Sequence, residues 1–411
     1  MRYVYIFLVL LVTAQVVKAQ SRSLNDYLQT AAHNSPLLND LKNQIESGKL
    51  DSIRIRAGLK PQVGASSTGI YAPVIGGYGY EQAITNGQTL NALVGVNQAL
   101  ISRNYLNAQF NALKLSRDSL GNTIKISQQD LNKTITTQYI TAYGSLLQYQ
   151  FNKEVVDLLT SEEDLLKKLT RANVYRQSDY LTFLVTLKQQ QLQLYQSRLQ
   201  YKIEYTTLNY LAGIADTSVV DIKDPAIQPV LFADKNNSIF FQQFKTDSIR
   251  LENARTLIDY SYKPRVNIFA DGGYNSDFSY QPYRNFGTSV GFSVSIPIYD
   301  GGVRKLQYKK LSLQENTRQN YKAFFDVQYR QQIAQLNQQI SDNNNLEQQI
   351  KDQFKYSESL IKVDTQLLQT GDLRIADLII AINNYLSVKN LLTQTNVNKL
   401  QLINQLNYWK K

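Results

Sequence analysis

The sequence predicts an α+β membrane protein in which long coiled-coil helices accompany four β-strands and the whole pattern occurs twice. Three observations support this fold class. None of the eight prolines lies between 74 and 224 or after 297, and glycine clusters in 58–95 and 272–302. Because proline breaks helix interiors, two long stretches are left free to form helices. Those stretches carry apolar residues at helical spacing, whereas the Gly/Pro-rich segments alternate like strands.

Residues 1–20 have the pattern of a secretory signal peptide. A basic Met1-Arg2 start precedes an apolar run over 3–12, and small residues at 17 and 19 stand ahead of a cleavage before Gln20. The run is shorter than the roughly 20 apolar residues that a membrane-spanning helix needs. The sequence contains no cysteine, so we expect neither a lipid anchor on the mature end nor a disulfide.

Composition argues against several functions. The lack of cysteine excludes a thiol nucleophile and Cys-ligated zinc, and the single histidine, His33, cannot join a second histidine in a metal site. We therefore expect no enzyme activity, no cofactor and no metal. The formal net charge is +11, but the basic residues form no run and an exported chain seldom meets nucleic acid, so we expect no nucleic-acid partner.

Two short matches define an internal repeat. The segment KPQV at 60–63 resembles KPRV at 263–266, 203 positions later, and DYL at 179–181 resembles DLI at 377–379, 198 positions later. We predict a first repeat, a connector and a second repeat, at 21–211, 212–236 and 237–411.

Each repeat is predicted to contain a helix, a β-hairpin, a very long helix and a further helix. In the first repeat the last three elements are expected at about 61–100, 102–169 and 178–211. In the second repeat they are expected at about 264–299, 302–368 and 376–408.

The long helices have coiled-coil spacing. Apolar residues from Leu106 to Leu146, and again from Ile333 to Phe354, recur mostly at steps of three, four and seven. Such a stripe buries one helix face against a neighbouring helix. At about 1.5 Å per residue, each helix would be roughly 100 Å long, which is far longer than a helix in an ordinary bundle.

The segment 286–298 alternates like a membrane strand. Its odd positions are small or polar, and its even positions are apolar apart from Thr288. We expect the apolar side chains to face lipid, namely those of Phe286, Val290, Phe292, Val294, Ile296 and Ile298. Four strands cannot close a barrel, and open edges in lipid would leave costly unpaired backbone groups. The sheet must therefore be completed by other copies of the chain.

Five short motifs, taken in order and spacing, resemble the TolC-like outer membrane efflux and secretion channels, also called outer membrane factors. The resemblance covers nearly all of 24–408, and the motifs are NSPLL at 34–38, LKPQ at 59–62, PIYDGG at 297–302, GDLRIADL at 371–378 and NQLNY at 404–408. The resemblance implies a homotrimer whose twelve strands form one barrel in the outer membrane and whose helices form a tunnel through the periplasm. It also implies docking to a periplasmic adaptor protein and, through the adaptor, to an inner membrane transporter, so that this chain is a passive conduit.

The breaks between helices are the predicted functional positions. Gly371 is the only glycine after Gly302, and its repeat mate is Asn173. Both residue types tolerate a left-handed backbone, so we predict helix turns there. By resemblance these turns, which include Tyr175 and Asp372, would form the aperture and dock the adaptor.

Charged residues follow each turn. Asp179 and Asp377 either stabilise a helix start or, repeated by symmetry, form carboxylate rings that attract cations. By resemblance Asp377 matches the first acidic position of the constriction, whereas Ile380 stands where a second acid is usual. Arg176 and Arg374 lie beside the same turns, and Arg374 is predicted to pair with an Asp and to hold the aperture shut.

Two other classes remain open. A periplasmic adaptor also has a long helical hairpin, but it has one hairpin between compact β domains. A secreted coiled-coil structural protein would not need the alternating strand at 286–298.

Overall fold

A computed structural model describes residues 22–81, 87–230, 238–277 and 281–410. The predicted signal peptide and part of the predicted connector lie outside these residues. The chain divides into two compact units. Unit 1 comprises Met1–Asn39, Lys125–Ser238 and Phe325–Lys411, and unit 2 comprises Asp40–Ile124 and Ile239–Phe324.

Helices make up most of the described residues. In chain order they are α1 (Leu24–Asn34), α2 (Pro36–Gly58), α3 (Arg103–Arg171), α4 (Gln177–Leu211), α5 (Ile239–Ser261), α6 (Val303–Thr370) and α7 (Ile375–Lys410). The two longest, α3 and α6, have 69 and 68 residues. Among the described residues, no helix is both long and apolar enough to cross a membrane.

Local sequence sets the helix starts. Ser23 and Asp26 form a reciprocal capping box at the start of α1, where the Ser23 N–H donates to Asp26 Oδ2 at 2.8 Å. Pro36 occupies the first position of α2, where a missing N–H costs no helical hydrogen bond. The chain therefore forms two helices before the first strand.

The sheet lies wholly in unit 2 and has four strands in the order β1-β2-β3-β4. All three pairings are antiparallel. The strands are β1 (Gln62–Tyr71), β2 (Gln88–Leu100), β3 (Arg265–Ser276) and β4 (Phe286–Ser295). Within the described residues the outer edges of β1 and β4 pair with no further strand.

One face of the sheet is apolar across three strands. Val290, Phe292 and Val294 of β4 stand beside Ala270, Ile268 and Val266 of β3. The same register continues on β2 with Val96 opposite Ala270 and Leu100 opposite Val266. The other face of β4 carries Gly287, Ser289, Gly291, Ser293 and Ser295. The apolar face is exposed, since Val290 and Phe292 are 81% and 74% accessible.

The prediction that β4 extends to residue 298 is wrong. The strand ends at Ser295, so Ile296 and Ile298 lie beyond it in irregular chain, although both side chains are exposed. Pro297 explains the early end, because proline has no N–H to donate to a ladder.

Unit 1 contains a core in which α1 and the connector pack against α3 and α4. Tyr27, Tyr139 and Tyr205 are fully buried there. The Tyr139 hydroxyl donates to the Lys223 carbonyl at 2.7 Å, and the Tyr27 hydroxyl donates to Asn209 Oδ1 at 2.8 Å. The Tyr139 hydrogen bond holds the connector, which has no helix or strand over 214–230, whereas the Tyr27 hydrogen bond joins α1 to α4.

Candidate functional site at the helix turns

The candidate site consists of two turns in unit 1: the first turn (172–176) joins α3 to α4, and the second turn (371–374) joins α6 to α7. α3 ends in a Schellman motif, in which the Val174 N–H donates to the Leu169 carbonyl at 3.0 Å and the Asn173 N–H donates to the Thr170 carbonyl at 3.1 Å. α6 ends in the same way, and the four corresponding residues are Asp372, Leu367, Gly371 and Leu368. The long helices of the two repeats therefore end with the same pattern of backbone hydrogen bonds.

The pivotal residue of each turn has a left-handed backbone. The φ angle is 58° at Asn173 and 82° at Gly371. At Gly371 a second constraint applies, because a Cβ there would lie 2.8 Å from Val174 Cγ1. The two turns therefore approach closely at this point, and a side chain at 371 would force one of them to move.

Tyr175 joins the two turns. Its hydroxyl donates to the Leu373 carbonyl at 2.8 Å. Burial raises the pKa of the Tyr175 phenol, and the charges of Asp372 and Asp179 act in the same direction. The Asp372 side chain itself is exposed.

A hydrophobic cluster supports the turns and draws on α3, α4, α6 and α7. Its members nearest the turns in sequence are Leu166, Phe183, Leu368, Leu373, Ile375 and Leu378. Leu166 and Leu368 have no accessible surface. The turns are therefore supported by a buried apolar layer to which both repeats contribute side chains.

The two predicted acidic residues occupy the same place but have different partners. Asp179 Oδ2 accepts from the Arg176 backbone N–H at 3.3 Å, which caps α4. Asp377 instead accepts from two nitrogens of the Arg374 side chain, Nε at 2.7 Å and Nη2 at 3.1 Å. This bidentate pair raises the pKa of Arg374.

Arg374, immediately before α7, is followed at steps of three residues by Asp377 and Ile380 on the side of α7 that points away from the hydrophobic cluster. Arg374 and Ile380 are exposed and Asp377 is half-buried. The ion pair that the sequence led us to expect at Arg374 is thus formed within the first turn of a single helix. The carboxylate of Asp377 is not isolated, because a guanidinium neutralises it.

Sequence reasoning missed two buried carboxylates near the turns. Asp364 lies on the buried face of α6 between Ile361 and Leu368, and burial together with the charge of Asp377 raises its pKa. Glu162 of α3 is also buried, its Oε2 has no hydrogen-bond partner, and burial raises its pKa. A carboxylate at a heptad seam position is the pattern that would have found Asp364.

No protein-family model matches the sequence, and no curated protein matches it either. Solved structures do match. The outer membrane protein VceC from Vibrio cholerae superposes with a TM-score of 0.72 at 13% identity, over 94% of this chain and 96% of that chain.

Two further structures give the same result. The Campylobacter jejuni CmeC outer membrane channel matches with a TM-score of 0.71 at 10% identity, over 94% of this chain and 85% of that chain. The open state of the Neisseria gonorrhoeae MtrE outer membrane channel matches with a TM-score of 0.70 at 13% identity, over 94% and 88%. The chain therefore has the TolC-like fold, and the predicted α+β fold class is confirmed.

Proposed function

We propose that this chain is the outer membrane channel of a tripartite efflux pump or of a type I secretion system. The observation that carries the proposal is the four-stranded sheet, which has an exposed apolar face and whose outer strands pair with no further strand in the described part of the chain. Its occurrence in the fold of outer membrane channels supports the same conclusion.

The open edges call for other copies of the chain. Because β1 and β4 are antiparallel members of one sheet, β4 of one copy can continue the sheet by pairing with β1 of the next. Unpaired backbone groups in lipid cost several kcal/mol each, so closure is strongly favoured. We infer a homotrimer with twelve strands, in which outer membrane lipids contact Phe286, Val290, Phe292 and Val294.

The chain reaches this membrane as an exported protein in our proposal. Its signal peptide is 1–20, its mature end carries no lipid anchor, and the helices extend into the periplasm. The presence of Val17 and Ala19 before the proposed cleavage supports this route.

The helix turns form the aperture and the docking surface for a periplasmic adaptor, which connects the channel to an inner membrane transporter. Asn173, Tyr175, Gly371 and Asp372 would contact the adaptor, because Asn173 and Asp372 are exposed and Tyr175 and Gly371 are partly exposed. The transporter supplies the energy, so the channel itself needs no catalytic residue or cofactor. Within the described residues, no three His, Asp or Glu side chains form a group that could hold a metal ion.

The constriction consists of the exposed face of α7 in this proposal. Symmetry would bring three copies of Asp377 together, with Arg374 beside each carboxylate and Ile380 forming an apolar ring. Arg176 and Asp179 would form an outer, weaker ring, since the Asp179 carboxylate caps a backbone N–H. The Arg374–Asp377 pair would then reduce both the pore width and the negative potential that attracts cations.

Planar-bilayer conductance of the purified protein tests the channel and its gate together. Asp377→Ala should change the cation selectivity, and Arg374→Glu should raise the single-channel conductance by removing the pair and adding negative charge. Arg176→Glu is the matched control, because it makes the same charge change at a side chain with no ion pair among the described residues.

An unchanged conductance for Arg374→Glu would mean that the gate lies elsewhere in the channel. The channel itself would be rejected if no preparation conducted and crosslinking of the outer membrane fraction gave only monomers. The competing classes, a periplasmic adaptor or a secreted coiled-coil protein, predict that latter result. Neither accounts for an exposed apolar face on an open sheet.

A further inference from the structure

Antiparallel pairing brings four charged segments of unit 2 to one end of the sheet. β1 and β3 begin at the end where β2 and β4 finish, as the pairing of Arg265 with Ser295 shows. The helices α2, α3, α5 and α6 join the strands at this end. We call the joining segments, each with the nearest eight residues of its helix, the basic rim; they are 51–61, 101–110, 254–264 and 296–310.

The basic rim is strongly positive, whereas the other end of the sheet is not. The rim has ten basic and three acidic residues, a net charge of +7, against +11 for the whole chain. At the opposite end, segments 72–87 and 277–285 carry one basic and two acidic residues. The strands themselves contain only Arg265 and Asp271 as charged residues. The charge is therefore concentrated where the helices meet the sheet.

Most of this positive charge has no acidic partner. All ten basic side chains of the rim are exposed, whereas Asp51, Asp259 and Asp300 are half-buried. Within the described part of the chain, only two of the ten, Arg54 and Arg304, form an ion pair with an acidic residue. The rim therefore presents eight unpaired positive charges to its surroundings.

Helix stability does not explain the charge at the starts of α3 and α6. The N-terminus of a helix has a partial positive charge, so basic residues are unfavourable there. Neither helix has an acidic residue in its first turn, Arg103 is the first residue of α3, and the first eight residues of α6 include four basic ones. Asp300 caps α6 through the Arg304 N–H at 2.7 Å, but one carboxylate does not balance four cations. An external anion would offset this cost.

Apolar surface lies between the strands and the basic residues. After β4, Ile298 and Tyr299 are 95% and 88% accessible, and the four basic residues of that segment follow them. After β2, Ile101 is exposed and precedes Arg103. A phospholipid has the same order, because its acyl chains end at a charged phosphate group. A free phosphate ion or a nucleic acid would leave the apolar residues uncovered.

The lengths of the elements also agree with a lipid bilayer. The ten-residue strands β1 and β4 match the 9–11 residues, approximately, that a tilted strand needs to cross the hydrocarbon core. Head groups add about 5–8 Å on each side, and charges act over a further Debye length of about 8 Å. Eight helical residues rise about 12 Å, so the helical part of the rim stays within this distance.

We propose that the basic rim binds the phosphate groups of anionic phospholipids, such as phosphatidylglycerol, in the leaflet next to the helices. The inference rests on the proposed function for the insertion of the sheet into a membrane, and it adds the lipid class and the residues that select it. Lysine and arginine stems would cover apolar surface while their charged ends reach the phosphates. Binding would fix the depth of the sheet in the bilayer and would weaken as salt is added.

Lipid retention by the detergent-purified protein tests the proposal. Mixed micelles would contain equal amounts of phosphatidylglycerol and phosphatidylcholine, and mass spectrometry would count each lipid that stays with the protein after gel filtration. We expect phosphatidylglycerol to be enriched about fivefold on the wild-type protein. The triple variant Lys305→Gln, Lys309→Gln, Lys310→Gln should lower this enrichment about threefold or more, because each lost charge weakens the attraction to an anionic lipid.

The triple variant Lys153→Gln, Lys167→Gln, Lys168→Gln is the matched control. These lysines are also exposed, but they belong to unit 1, whereas the rim belongs to unit 2. The control loses the same net charge and should keep the wild-type enrichment. Melting temperatures show whether either variant is destabilised, and the rim variant should not be, since it removes cations from the positive end of α6.

Four results would overturn the proposal: equal retention of the two lipids by the wild type, an unchanged enrichment in the rim variant, an equal loss in the control variant, or displacement of phosphatidylglycerol by inorganic phosphate at equal concentration. The last result would indicate a site for small anions. A conducting trimer without lipid preference would exclude the lipid contact but keep the channel. A lipid preference in protein that neither conducts nor crosslinks as a trimer would keep the contact and exclude the channel.

Discussion

Asp364 shows how one residue distinguishes the two repeats at the helix turns. The repeat offset places it where the first repeat has Leu166, which is fully buried in the hydrophobic cluster. Asp364 is also buried, and burial, with the charge of Asp377, raises the pKa of its carboxyl group. A carboxylate in such an apolar layer is less favourable than a leucine, because it loses part of its hydration. The helix pair α6 and α7 is therefore less firmly packed than the pair α3 and α4 at this layer of the hydrophobic cluster.

We expect Asp364→Leu to raise the free energy of unfolding by about 0.5–2 kcal/mol at neutral pH, because it removes a partly desolvated carboxylate from an apolar layer. The native pKa lies above the ordinary value of 3.8, so the folded protein binds this proton more tightly than the unfolded chain does. Wild-type stability should therefore fall as the pH rises from about 4 through the raised pKa, and the variant should lose this dependence. Thermal unfolding followed by circular dichroism at several pH values measures both effects. Leu166→Asp is the mirror control and should destabilise the protein.

Gly371→Ala should destabilise the second turn by about 1–3 kcal/mol, because the new side chain meets both a left-handed backbone and the Val174 methyl group. Asn173→Gly keeps the left-handed conformation and adds no atoms, so the change should stay within about 0.5 kcal/mol. Melting temperatures of the two variants check this pair. Equal melting temperatures would mean that the close approach at 371 relaxes without cost.

Residue type alone predicts the turns but not their surroundings. Gly371 and Asn173 stand out because few residues accept a left-handed backbone. The bidentate Arg374–Asp377 pair is harder to predict, since the equivalent Asp179 binds a backbone N–H instead. Asp364 escapes attention because a carboxylate in a helix is normally taken as a surface residue.

At the scale of elements, β4 offers a direct test of the membrane proposal. Val290 is on the apolar face and Ser293 is on the opposite face of the same strand. If the apolar face meets lipid, Val290→Lys should cost about 2–4 kcal/mol near the bilayer centre. We expect less trimer in the outer membrane fraction on semi-native gels, whereas Ser293→Lys should assemble normally. The opposite ranking would place lipid on the other face.

The ends of elements follow from local chemistry to different degrees. The predicted long helices at 102–169 and 302–368 correspond to Arg103–Arg171 and Val303–Thr370, because heptad spacing and the turn residues define both ends. The end of β4 does not follow from alternation, which continues through Ile296 and Ile298. Strand pairing needs N–H groups as well as side-chain pattern, and Pro297 removes one.

At the scale of the whole chain, tyrosine hydroxyls hold together segments that are far apart in sequence. The single hydroxyl proton of Tyr139, on α3, lies between the carbonyl of Lys223 at 2.7 Å and that of Arg22 at 3.1 Å, which are 84 and 117 residues away. No periodicity or motif predicts such contacts, because they depend on where the chain returns after folding. The prolines therefore locate the connector in the sequence, but no sequence pattern predicts which residues it packs against.

Tyr139→Phe should loosen the connector, since it removes the one hydroxyl donor that the Lys223 and Arg22 carbonyls share, worth about 0.5–1.5 kcal/mol. We expect trypsin to cleave after Lys223 about three- to tenfold faster, as measured by mass spectrometry of timed digests. Tyr143→Phe is the control, because its hydroxyl donates to the side chain of Asp224 and holds no backbone group. Equal cleavage rates for the two variants would mean that apolar packing, and not the Tyr139 hydroxyl, holds the connector in place.

The open sheet edges also have a consequence for how a cell must handle the newly made protein. In the proposed assembly, until copies meet, each carries ten-residue strands at β1 and β4 whose outer backbone groups can template pairing with any extended peptide. Productive assembly therefore competes with misassembly, and the outcome depends on how long a single copy persists. Low synthesis rates lengthen that interval, because encounters between copies become rarer. A holding chaperone that covers the strand edges would therefore favour productive assembly, although it would not be part of the proposed channel.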